Sequence, residues 1–199
     1  MGKNIEERVR DFITSSGGYA KAESLRAEGI HSNQLSALVE SGVIARLKRG
    51  LYVLAAGEER SELVDIQKAI PRGVFCLGSA LSILGIGTWE PAEHQLAVQR
   101  DYRISLPANS VIRLYSFSGA RFDTGIIDHV TENGTIRIYN REKTICDIVR
   151  FRNSLGLDIV KEALHEYLKG PEKDIPRLLD YAKLLRTEVT IRGYLELFA

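Results

Sequence analysis

The chain has 199 residues, 44% of them apolar and 27% charged, with a net charge of +1. That composition suits one large or two small globular domains and argues against disorder, while the near-neutral charge argues against indiscriminate nucleic-acid binding. No stretch is apolar for the length of a bilayer span and no apolar run follows the charges of MGKNIEERVRDF, so a soluble, cytoplasmic protein without membrane contact is expected. Cys76 and Cys146 stand alone, without CxxC spacing, and are expected as buried free thiols.

Ile5, Val9, Phe12 and Ile13 form a helical stripe that Gly17 and Gly18 stop. A short helix is expected over residues 21–28, with Ala22 and Leu25 inward. The third helix starts at Ser32, a good N-cap, and places Leu35, Leu38 and Val39 on one face. Asn33, Gln34, Ser36 and Glu40 are left on the other. Gly29 before Ile30 and Gly42 before Val43 repeat one device, a left-handed glycine after the last turn and an apolar residue folding back. From Gly42 the period becomes two: Val43, Ala45 and Leu47 alternate with Ile44, Arg46 and Lys48, Arg49 and Gly50 turn, and residues 51–54 return. Three helices and a basic hairpin in about 55 residues predict a winged helix-turn-helix.

The charge distribution supports this. Residues 1–56 hold eight cations against six acids, and residues 42–56 hold Arg46, Lys48 and Arg49 with no acid. Asn and Gln suit adenine edges in a major groove, and recognition helices read bases with their first residues. Ser32, Asn33, Gln34 and Ser36 are therefore candidate DNA-reading residues, and Arg46, Lys48 and Arg49 candidate phosphate contacts. The competing reading is a structural helix and hairpin with a solvated basic turn.

The small, polar residues 55–60 place a boundary between domains 1–56 and 57–199. Beyond it Leu63, Ile66 and Ile70 begin a stripe that Pro71 ends, and residues 73–87, GVFCLGSALSILGIG, read as a buried turn or strand entering a buried helix. Strands are expected over residues 94–98, 111–117, 125–131 and 135–139, the last two joined across Glu132, Asn133 and Gly134. Helical stripes follow at Ile145, Ile148 and Val149; at Leu157, Val160, Leu164 and Leu168; at Leu178, Ala182 and Leu185; and at Ile191, Tyr194, Leu195 and Phe198. The whole is α+β, a winged helix and then a mixed domain with a small sheet and a helical end.

Catalytic constellations are absent from the pattern. His31, His94, His129 and His165 lie far apart without ligand spacing, Ser79 lacks the GxSxG context, and the glycines form no phosphate-binding fingerprint. Asp128 and Glu132 sit on a hairpin where charge serves solubility. No enzyme, metal or cofactor is expected. Arg141, Lys143, Arg150 and Arg152, with Asn153, are a candidate partner or RNA surface, against the plainer reading of a solvated helix face.

The order of a winged helix closing in KRGLYVL, then PRGVFCLGSAL, YNREKTICDIVRFRNSLGLDIVKEAL and a terminal RGYLELF resembles the AbiEi antitoxins of the AbiE abortive-infection systems, classed as type IV toxin-antitoxin. The resemblance covers almost the whole chain and is most specific over residues 139–164. It implies an N-terminal domain that binds inverted repeats before its own operon and represses it. It also implies a C-terminal domain that counters a nucleotidyltransferase-like toxin, with or without a stable complex. Leu84 stands where the family often has histidine after SAL, and residues 95–104 depart from the usual strand. The alternative is a transcriptional regulator whose C-terminal domain senses a small molecule or only dimerises.

Overall fold

The computed structural model describes residues 4–55, 60–104, 106 and 111–198. The chain divides into two compact units, residues 1–71 with 103–110, and residues 72–102 with 111–199. Within the expected linker, residues 56–59 lie outside the described residues.

The first unit runs α1 (Ile5–Ser15), β1 (Tyr19–Lys21), α2 (Ala22–Ala27), α3 (Ser32–Glu40), β2 (Ile44–Lys48), β3 (Leu51–Leu54) and α4 (Glu62–Ala69). Asn4 caps α1, its side chain accepting from Glu6 N–H while Glu7 reaches back to Asn4 N–H. Val9 and Ile13 are buried and meet Leu25, Ile30, Leu35, Leu38 and Ile44 in one core. Gly29 (φ 77°) and Gly42 (φ 72°) close α2 and α3 as expected, with Ile30 N–H donating to Leu25 O and Val43 N–H to Leu38 O, both at 3.0 Å. β1 was not expected: only three residues long, it claims Lys21 from the predicted helix and makes the hairpin a three-stranded antiparallel sheet, β1-β3-β2.

The second unit runs β4 (Val74–Phe75), α5 (Leu77–Ile83), β5 (His94–Gln99), β6 (Ile112–Phe117), α6 (Ala120–Asp123), β7 (Ile126–Thr131), β8 (Gly134–Tyr139), α7 (Arg141–Arg150), α8 (Arg152–Leu155), α9 (Leu157–Lys169), α10 (Ile175–Leu184) and α11 (Glu188–Phe198). Its mixed sheet has the order β6-β5-β4-β8-β7, with β5 and β6 parallel, β4 and β8 parallel, and the other pairs antiparallel. The segment read as buried core is β4 turning into α5, and two contacts explain its sequence. Gly78 is obligatory because a Cβ there would lie 2.2 Å from the Trp89 ring. Ser79 is buried and its hydroxyl accepts from Gln95 N–H at 2.8 Å, while the Gln95 side chain accepts from Gly78 N–H at 2.8 Å.

Helix α7 corrects the surface reading of Lys143. It packs against α5, α9, α10 and α11, and every residue from Glu142 to Val149 is buried. Lys143 is fully buried, ion-paired to Asp147 one turn on, with its ammonium 4.1 Å from the Tyr139 ring centre and 5.2 Å from that of Phe117. It belongs to the core and to no partner surface. Between Glu142 and Val149 no face is solvated, so an ionised group there must find its counter-charge inside. Glu142 follows the same rule, accepting from the Tyr167 hydroxyl at 3.1 Å.

Candidate nucleic-acid interface

Helix α3 presents its first turn to solvent: Ser32, Asn33 and Ser36 are exposed, Gln34 is half-buried, and Leu35 and Leu38 face the core. The cap differs from the expectation. His31, in extended backbone, is the N-cap, and Ser32 is the first helical residue. The reason is Gln34, three residues after His31, whose Oε1 accepts from His31 N–H at 2.8 Å, the return half of a capping box. Asn33 Oδ1 accepts from Gln34 N–H at 2.9 Å, and the Ser36 hydroxyl donates to Ser32 O at 3.1 Å. The side chains of Asn33, Gln34 and Ser36 thus each have a local bond, and those of Ser32, Asn33 and Ser36 are exposed.

In the hairpin a bulge overrides the simple alternation. Arg46 pairs with Tyr52 and Lys48 with Leu51, so Leu47 is the extra residue. Directly opposed residues in an antiparallel ladder share a face, so the rows are Arg46–Tyr52–Ala20 on one side and Lys48–Leu51–Lys21 on the other. Ala20, Tyr52, Ile44 and Leu54 join the helical core. The row of Ala45, Val53 and Tyr19 and the row of Lys48, Leu51 and Lys21 lie on the opposite face, where α4 meets Tyr19 and Lys48. There the Tyr19 hydroxyl donates to Asp65 Oδ1 at 2.7 Å, and Lys48 Nζ donates to Ala69 O at 2.6 Å. Arg60 completes the link with both Asp65 Oδ2, at 2.5 Å through Nη2, and Leu54 O, at 3.1 Å.

The predicted wing cations therefore separate. Arg46 and Arg49 are exposed, on the helical face of the sheet and at the hairpin turn. Lys48 is half-buried, and burial first, then the nearby Lys21, lowers its pKa. Burial and the Asp65 carboxylate raise that of the Tyr19 hydroxyl. Sequence reasoning missed Tyr19, Asp65 and Arg60, and no local signal could have found them, since the three meet only when α4 docks.

One comparison with known families bears on this geometry. Residues 7–55 match the family model described as transcriptional regulator, AbiEi antitoxin. The match covers 49 of the 199 residues, and over that stretch the chain is similar to the regulator domain of AbiEi antitoxins. No curated protein matches the chain. The matched segment starts within α1 and ends just past β3, so it takes in the capped α3 and the whole wing. A regulator domain implies DNA as a partner, and an antitoxin family implies a toxin.

Beyond the matched segment, the remaining predicted cations all bond within their own unit. Arg141 is half-buried and ion-paired with Glu172 at 2.5 Å. Arg150 donates to Leu185 O at 3.5 Å, its pKa lowered by burial and then by Arg121; Arg152 donates to Val149 O at 3.2 Å. Among the described residues no cluster of three His, Cys, Asp or Glu side chains could hold a metal ion, and no helix is long and apolar enough to cross a membrane.

Proposed function

We propose that the protein is an autorepressor and antitoxin of a type IV system. The observation that carries this reading is the juxtaposition, inside the matched segment, of an uncharged polar helix start with a wing whose exposed cations have no acid beside them in the hairpin. Asn33, Gln34 and Ser36 read base edges, with Ser32 beside them, and Arg46 and Arg49 hold phosphates. Gln34 keeps its amide N–H donors for a base while its oxygen stays on His31. Few phosphate contacts per copy call for two copies on an inverted repeat, consistent with the near-neutral net charge. The second unit counters a nucleotidyltransferase-like toxin, with Arg141, Arg150 and Arg152 as the remaining cations of the candidate surface.

Gel shifts with DNA from upstream of the protein's own gene and with a scrambled duplex test the first half. Arg46→Ala and Arg49→Ala should weaken binding to both, whereas Asn33→Ala should cost roughly 1 to 3 kcal/mol on the upstream DNA only. Equal loss on both from Asn33→Ala would remove the base-reading role. Growth rescue in cells expressing the toxin tests the second half. The Arg46→Ala/Arg49→Ala protein should rescue as well as wild type, and binding without rescue by the wild type would favour a sensing or dimerising regulator.

A further inference from the structure

The wing cations differ in what already occupies them. Lys48 rests on Ala69 O, one of the carbonyls that a helix C-terminus leaves without an intrahelical donor and that favours a cation. Its neighbour on the same cross-strand row, Lys21, is exposed and makes no ion pair among the described residues. Ala22 N–H donates to Gly50 O at 2.9 Å, so the junction of β1 and α2 is tied to the hairpin turn and Lys21 is held beside Arg49 and Gly50. Two like charges are thus held on one face, on the strands either side of Leu51 and close enough for Lys21 to disfavour the charge on Lys48, and residues 42–56 supply no acid to balance them. Such a pair costs stability in the free protein, and an anion at the exposed member offsets that cost.

We infer that Lys21 is a phosphate contact of the interface alongside Arg46 and Arg49, and that Lys48 is a positioning residue holding the wing on α4. This rests on the DNA-binding reading above and adds a residue 25 positions upstream of the wing's first cation. The β-bulge at Leu47 places Lys48 on the face of Lys21, where α4 holds it, and leaves Arg46 on the opposite face.

The test uses the full-length protein and a labelled mixed-sequence duplex of about 30 base pairs, because phosphate contacts are indifferent to sequence. Affinity is followed by anisotropy from about 50 to about 200 mM salt, where removing one cation from the phosphate backbone should make the fall in affinity roughly 3.5-fold smaller. Lys21→Ala should flatten the slope by about 0.9 and melt no lower than wild type, since a repulsion has been removed. Lys48→Met should melt lower but keep the wild-type slope, a readout that would change if Lys48 itself held a phosphate. An unchanged slope for Lys21→Ala overturns its assignment as a contact. A flattened slope for Lys48→Met overturns the positioning role. Failure of the wild type to bind the duplex at about 50 mM salt would instead overturn the DNA-binding reading itself.

Discussion

The buried Lys143–Asp147 pair gives the sharpest test of how this fold handles charge. Lys143→Met keeps the volume and the stem but removes the ammonium, leaving the Asp147 carboxylate with only 4% of its side chain exposed. Breaking a buried pair from one side costs about 3 to 5 kcal/mol, whereas replacing both partners with apolar groups is often close to neutral. At about 3 °C per kcal/mol, Lys143→Met should melt roughly 9 to 15 °C below wild type. Lys143→Met/Asp147→Leu should recover most of that loss. The pH dependence has a definite sign. Burial raises the folded pKa of Asp147, and Lys143 is the chief group opposing that rise. Without Lys143 the folded pKa climbs further above the unfolded value near 4, so between the two the folded state holds the extra proton. Stability of the single variant is then greatest at or below pH of about 4 and falls as pH rises through the folded pKa. The deficit against wild type should be small near pH of about 4 and full near about 7. Thermal melts followed by circular dichroism across that range measure it. A Lys143→Met protein melting within about 2 °C of wild type at neutral pH would refute the reasoning.

Two further outcomes follow from packing. A fragment of residues 1–71 should melt well above one of residues 1–56, because Leu51 and Val53 project to the face that α4 covers. Uncovering both costs roughly 3 to 6 kcal/mol, close to the whole stability of so small a domain, and equal melts would mean that α4 only decorates the wing. Gly78→Ala should destabilise the second unit by at least about 1 to 3 kcal/mol, since the new Cβ meets three Trp89 ring carbons at 2.2 to 2.9 Å. Denaturant titration should show this, with recovery in Gly78→Ala/Trp89→Leu; no recovery would place the strain elsewhere.

Where a residue's surroundings are set by its near neighbours in the chain, the sequence was sufficient. Val9 and Ile13 are buried because a 3.6-residue period puts them on one side of α1. Gly29 and Gly42 end α2 and α3 because only a left-handed residue lets the next amide reach back to Leu25 and Leu38. The exposed start of α3, the basic hairpin and the α+β order of elements were legible for the same reason. The β7–β8 hairpin was legible too, its positive φ, 145°, falling on Gly134, the glycine of the expected turn and the first residue of β8. Tertiary structure decided the rest. Parity along β2 holds only until one residue is inserted, and the bulge at Leu47 moved Lys48 from the face of Arg46 to that of α4. Periodicity marks one apolar side of a helix but cannot say how many neighbours will enclose it. On α7 other helices enclose it, and Lys143 became a core residue with its counter-charge a turn away, because inside a protein the free energy of an ion is set by its partners and not by its place in a pattern.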